Sequence, residues 1–274
     1  MNLKSAPYVD VHTHLTHDDF VGEVDAVVQR AVNAELGAIV VNGLDPVSNR
    51  AILEMASSIN VVKAALGIYP IDAVNDRLPA GLPFHVATFD VNAELNFIEE
   101  QAAQGTVFAL GECGLDGYWV GPETFPRQEE VFERMINIAQ KHDLPLIVHT
   151  RKLEQRAADI LSHHKVKRVN FHCFGGKVKL ARRLAEEQGW WFSIPANAGV
   201  NEAFRKMLIE LPPEKILTET DAPFLSPTKG QRNEPANVTG TVRLLAELRG
   251  WKLEQAREQL WANYNQLFCT RAEI

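Results

Sequence analysis

No run of about 18 uninterrupted apolar residues occurs in the 274 positions, which excludes a conventional membrane-spanning helix. Cysteine is scarce. Cys113, Cys173 and Cys269 are odd in number and far apart, which argues against a disulfide framework and fits a reducing cytoplasm; the CxxC spacing of structural zinc sites is absent. Positive charge is also short: 28 Lys and Arg against 35 Asp and Glu leave a net charge of −7. That balance disfavours broad adhesion to nucleic acid or anionic membrane. A nucleic-acid substrate stays open, because metal ions in an acidic site reverse the local sign. The first strand–helix connection lacks the GxGxxG loop of dinucleotide binders. No linker rich in Pro, Gly or Ser and no low-complexity tract is present, and Met1 to Ser5 do not lead into the apolar region of a secretion signal. The expectation is one domain over 1–274, cytoplasmic, with no membrane and no obligatory protein partner.

What the chain does have is alternation. Short apolar runs rich in β-branched residues are predicted as strands at 8–12, 38–42, 61–67, 106–112, 144–149, 168–172, 190–195 and 215–220. Helical patterns fill the gaps at 22–35, 47–57, 91–104, 127–141, 153–163, 177–188, 201–210 and 237–249, and a pair at 252–260 and 261–270 ends the chain. Asn92 and Asn201 stand near helix starts, and Gly37, Gly105 and Gly189 just past helix ends. Strands apolar on both faces belong in a parallel sheet covered by helices. Eight such βα repeats favour a closed (β/α)8 TIM barrel over an open doubly wound sheet.

Ionisable residues gather at the C-terminal ends of the predicted strands, where barrels of this type carry their active sites. Asp10, His12 and His14 close the first strand; with a period of two, both imidazoles share a face and Asp10 lies a layer deeper. Glu112 ends an apolar strand, where an unpaired carboxylate costs several kcal/mol to bury; an ion-pair partner or a ligand bridging two metals would answer that. His149 and His172 end consecutive strands, and Asp221 follows the last, with Glu219 one layer below it. Each alone reads as a satisfied core or loop residue. Together they read as a divalent-metal centre of mixed nitrogen and oxygen ligands. Arg151 is a candidate for a substrate phosphate, Lys177 reads as a solvated loop cation, and Arg232 to Pro235 form a polar loop above the proposed metals.

The ordered segments DVHTH (10–14), GECGLD (111–116), VHTR (148–151), HCF (172–174), ETDAPFL (219–225) and RNEP (232–235) resemble the TatD family of metal-dependent deoxyribonucleases, over almost the whole chain. The resemblance implies His12, His14, Glu112, His149, His172 and Asp221 as ligands of divalent cations, with Glu112 shared. It also implies hydrolysis of phosphodiester bonds in DNA, often from a 3′ end. Two cations drawn from Mg, Mn or Zn are expected, with Glu112 and Asp221 catalytic and Asp221 taking a proton from water; Arg151, Asn233 and Glu234 are expected at the substrate. Low sequence specificity follows from the lack of a base-reading module. Departures from the family pattern lie at the rim: Tyr69 stands where a histidine is common, FGGK follows His172, GYWVG follows GLD, and Lys229 replaces an arginine. Hydrolysis of a small ester, lactone or amide is the competing enzymatic reading, and a catalytically silent scaffold the non-enzymatic one.

Overall fold

The computed structural model describes residues 5–269. Eight parallel strands form one sheet in sequence order: β1 (Tyr8–Thr13), β2 (Leu36–Asn42), β3 (Val62–Leu66), β4 (Ala109–Asp116), β5 (Leu146–Arg151), β6 (Val169–His172), β7 (Trp191–Ile194) and β8 (Ile216–Thr218). No ladder joins β8 to β1 among the described residues. The seam is closed instead by the Asp221 N–H donating to the His12 carbonyl at 2.9 Å and the His14 N–H to the Ala222 carbonyl at 2.8 Å. The result is a nearly closed TIM barrel.

Helices α1 (Val24–Asn33), α2 (Pro46–Ser58), α3 (Val91–Gln104), α4 (Phe125–His142), α5 (Glu154–His163), α6 (Val178–Glu187), α7 (Glu202–Glu210) and α8 (Val238–Arg249) cover the outside. Their apolar stripes and the outward strand side chains share the main core, which includes Phe132, Phe171, Trp190 and Phe192. Local chemistry sets the helix ends. The Asp90 carboxylate, rather than Asn92, accepts the first free N–H groups of α3, and Asn201 does so for α7. Gly37, expected past a helix end, instead lies inside β2; the turn before it is made by Glu35 at φ 66°.

Three further differences from the sequence reading bear on the site. β4 continues past Glu112 to Asp116, so Glu112 is mid-strand; Gly114, at φ 139°, runs so close to His149 that a Cβ there would overlap the His149 carbonyl. β8 stops at Thr218, leaving Glu219 and Asp221 in the following loop. The expected terminal helix pair is one helix, α9 (Leu253–Phe268), since nothing at Leu260-Trp261 breaks the spacing of Ala256, Leu260, Tyr264 and Leu267.

α9 seals the N-terminal ends of the strands. Asn263 Nδ2 donates to the Pro213 and Ile216 carbonyls, each at 2.7 Å, and Arg257 Nε to the Ala6 carbonyl at 2.6 Å. Tyr264, Leu267 and Phe268 join Val9, Ala38, Val40 and Leu217 in a second apolar cluster. The opposite end of the cylinder carries the ionisable residues.

Candidate metal centre

Six side chains from β1 and the residue just past it, from β4, β5 and β6, and from the loop after β8 converge at that end. His12 Nε2 and His14 Nε2 are 3.1 Å apart. Glu112 Oε2 lies 3.3 Å from the first and 3.4 Å from the second. Asp221 Oδ1 lies 3.6 and 3.3 Å from the same nitrogens. Ligands about 2.0–2.2 Å from a common centre in a tetrahedron are roughly 3.3–3.6 Å apart, so His12, His14 and Glu112 stand close to the spacing of a small-cation site, with Asp221 beside the two imidazoles. A second, tighter group uses the other oxygen of Glu112: Oε1 is 2.8 Å from His149 Nδ1 and 3.1 Å from His172 Nε2, which are 3.2 Å from each other. The carboxylate therefore faces two pairs of histidines, one with each oxygen.

The outer nitrogens decide which ring atoms carry lone pairs inward. His14 Nδ1 faces the Asn42 carbonyl at 3.1 Å; a carbonyl only accepts, so Nδ1 holds the proton and Nε2 is free to coordinate. For His149 the ring is reversed. Its Nε2 donates to Asp116 Oδ2 at 3.0 Å, turning Nδ1 toward Glu112. His172 stacks on His12 with centroids 3.8 Å apart. The residues fit small divalent cations held by mixed nitrogen and oxygen donors.

Without cations, the charges compensate each other through protons. Burial pushes the Glu112 carboxyl up, but His172, His12 and His149 together hold it well below the usual range. Asp221 is held down in the same way by His14 and His12. Burial works against the imidazolium forms, yet Glu112 keeps His172 well above the ordinary value; Asp221 and Glu112 raise His14, and Asp116 and Glu112 raise His149. His12 goes the other way, lowered to about 3 by burial and by His172, and so stays neutral. Two carboxylates in a largely buried cluster demand positive charge, which divalent ions supply at the expense of those protons.

A family model described as TatD related DNase matches residues 9–269, a span containing every side chain of the cluster. The chain belongs to the TatD-related DNase family. Human deoxyribonuclease TATDN3 is 30% identical over 98% of this chain and 97% of its own length. The metal-dependent hydrolase YabD of Bacillus subtilis is 30% identical over 94% of this chain and 98% of its own. The crystal structure of YjjV, a TatD homologue from Escherichia coli, superposes with a TM-score of 0.82 at 26% identity, covering 96% and 98% of the two chains. The protein is thus a metal-dependent hydrolase.

Around the cluster of this TatD-related hydrolase, other side chains act on the ligands and loops. Asp10 accepts from the Thr220 N–H at 2.9 Å and from the Thr220 hydroxyl at 2.5 Å, tying β1 to the turn that carries Asp221. Asp221 sits in the left-handed region at φ 55°, a conformation that a non-glycine residue keeps only when its surroundings impose it. Glu219 accepts from the Cys173 N–H at 2.8 Å and from the Ser193 hydroxyl, and its Oε1 stands 3.8 Å from His172 Nδ1. Gly67 passes so near β4 that a Cβ would overlap the backbone of Glu112.

Four rim expectations need revision or filling in. Asn233 is fully buried, so it has no surface for substrate; its Nδ2 donates to the Thr220 and Phe224 carbonyls, each at 2.8 Å, and it positions the Asp221 loop. Glu234 is engaged by Arg30 through both carboxylate oxygens. Tyr69 packs edge-on against His149 at 5.0 Å and donates its O–H to Asp116 Oδ2 at 3.4 Å. Burial and the charges of Glu112 and Asp116 push its phenol far up, so it stays a donor. Arg151 is exposed, with its guanidinium over the Tyr118 ring at 3.6 Å.

Sequence reasoning missed Asp116 and Asn42. A signal for Asp116 existed: Glu112, Gly114 and Asp116 alternate along one strand and share a face. For Asn42 there was none, because only its backbone carbonyl acts.

Proposed function

We propose that this protein is a deoxyribonuclease working with two divalent ions, trimming single-stranded or frayed DNA from the 3′ end with little sequence preference. One observation carries the reading: the two oxygens of Glu112 face separate histidine pairs, the arrangement of a carboxylate shared by two cations. His12, His14 and Glu112 would hold one ion, and His149, His172 and Glu112 the other; Asp221, beside His12 and His14, would complete the first. When bound, such ions polarise the phosphoryl group and acidify water.

The remaining chemistry belongs to the chain. Asp221, whose carboxylate is held ionised, takes the proton of the attacking water; the water oxygen bonds to phosphorus as a P–O ester bond breaks, and the leaving sugar oxygen takes that proton to depart as a hydroxyl. Arg151 is preorganised by its stacking on Tyr118 and meets a non-bridging phosphoryl oxygen from the rim. Asp116 and Asn42 fix the tautomers of the ligands, and Tyr69 braces Asp116. The cluster is nearly fully buried below the rim, so a base pair must open before its phosphate reaches it.

The test is a substrate panel of labelled single-stranded DNA, duplex DNA, and small esters and lactones, with Mg or Mn and after chelation. Metal-dependent shortening of the single strand from its 3′ end is the expected result. Turnover of small esters with no shortening of DNA would overturn the reading and leave the same centre serving a small ester, lactone or amide.

A further inference from the structure

We propose that the groove between α5 and α6 is a second binding site, a track for the backbone phosphates of a single DNA strand beyond the phosphate being cleaved. This rests on the nuclease reading above. The groove has a volume of about 830 Å3 and is lined by five cations, Lys152, Arg156, Lys177, Lys179 and Arg183, against two carboxylates. In a chain of net charge −7, such a concentration of positive charge runs against the overall sign.

The two carboxylates do not neutralise the lysines. Glu154 accepts the backbone N–H of Lys152 at 3.1 Å, and Asp159 accepts Gln155 Nε2 at 2.7 Å. Arg156 is tied to Glu129, and Arg183 donates to Gln155 Oε1 at 3.1 Å. Among the described residues, no carboxylate lies within ion-pair distance of Lys152, Lys177 or Lys179, and all three are exposed. Unneutralised cations lining a concave surface attract a polyanion.

Position gives the groove its function. One wall starts at Lys152, directly after Arg151 at the end of β5; the other starts at Gly175, three residues after His172. Three residues span at most about 11 Å, so the groove opens beside the second histidine pair and not at a distant face. Gly175 and Gly176 bring no side chains into the passage. A strand whose terminal phosphate lies at Glu112 therefore has a basic channel ahead of it, whereas a small ester has no use for one.

The experiment compares native protein with the triple variant Lys152→Glu, Lys177→Glu, Lys179→Glu; all three positions are exposed, and thermal unfolding verifies the fold. Binding of a fluorescent single-stranded oligodeoxynucleotide is measured by anisotropy on chelated protein over a salt series. Hydrolysis of a chromogenic phosphodiester is measured with Mn. The expected result is affinity weakened at least about tenfold and a salt slope shallower by about 2, since each single-strand contact contributes roughly 0.7, with the small diester turned over at the native rate. Unchanged affinity and slope would overturn the groove proposal, as would equal loss of small-diester hydrolysis in a folded variant. Failure of the native protein to hydrolyse any diester counts against the nuclease reading alone, because the binding arm needs no catalysis.

Discussion

Asp116→Asn isolates the role of one oxygen. Asp116 Oδ1 accepts the N–H groups of Tyr118 at 2.7 Å and Trp119 at 3.1 Å, while Oδ2 accepts from His149 Nε2 at 3.0 Å. In the variant those two backbone donors keep the amide oxygen at the Oδ1 position. The amide nitrogen then faces His149 Nε2 and donates to it. His149 must carry its proton on Nδ1, pointing at Glu112, and a protonated nitrogen cannot coordinate. Loss of a residue supporting a metal ligand typically costs 10–100-fold, or about 1.4–2.7 kcal/mol, and a reversed tautomer belongs at the upper end. Asp116→Ala removes the lock without reversing it and should cost less. The assay is titration of chelated protein with Mn, alongside two-bond 1H–15N correlation spectra that report which imidazole nitrogen is protonated. Native affinity in Asp116→Asn, or a greater loss in Asp116→Ala, would refute the tautomer argument.

Other outcomes follow from neighbouring contacts. Glu112→Gln keeps the shape but offers one poor oxygen to two histidine pairs; bound metal, read by elemental analysis, should fall from about two ions per chain to less than one, with activity below about 1% of native. Retention of both ions would show that Glu112 is not shared. Asn233→Ala leaves the Thr220 and Phe224 carbonyls without their donor and should lower stability by about 1–3 kcal/mol in denaturant titration, reducing activity through the Asp221 loop; an unchanged midpoint would remove its positioning role. Asp72 is pushed up to about 8 by burial, with Asp45 and Glu112 adding to the effect. A folded pKa above the unfolded one means that the native protein holds a proton the unfolded chain has lost, so this group's stability declines as pH rises from about 4 to 8. Asp72→Asn lacks that decline, and its melting temperature should gain on native protein between pH 5 and pH 8; parallel curves would sink the assignment.

Much of this was legible because barrel strands announce both their period and their ends. The runs IVVN and LIVH could only be buried strands, and a histidine or carboxylate finishing such a run had to lie near the rim. That logic gathers His12, Glu112, His149, His172 and Asp221 without knowledge of distances. It fails where the determinant is not side-chain pattern. The extension of β4 to Asp116 depends on Gly114 tolerating φ 139° beside His149, which polarity does not encode. Asn233 looked like a rim contact because a polar loop residue has the same composition whether it faces solvent or satisfies buried carbonyls. The basic groove was invisible for a related reason: Lys152 and Lys177 are 25 residues apart in sequence and meet only through the adjacency of β5 and β6.

The single helix across the strand starts separates two kinds of evolutionary freedom. With Tyr264, Leu267 and Phe268 anchoring the base, changes in the βα loops at the other mouth need not disturb the anchorage that keeps the strands in place. A chain of this design can exchange one clientele for another by rewriting loops such as GYWVG and FGGK. Drift in α9 would loosen the whole cylinder, so tolerance to mutation should be lopsided from one end of the molecule to the other.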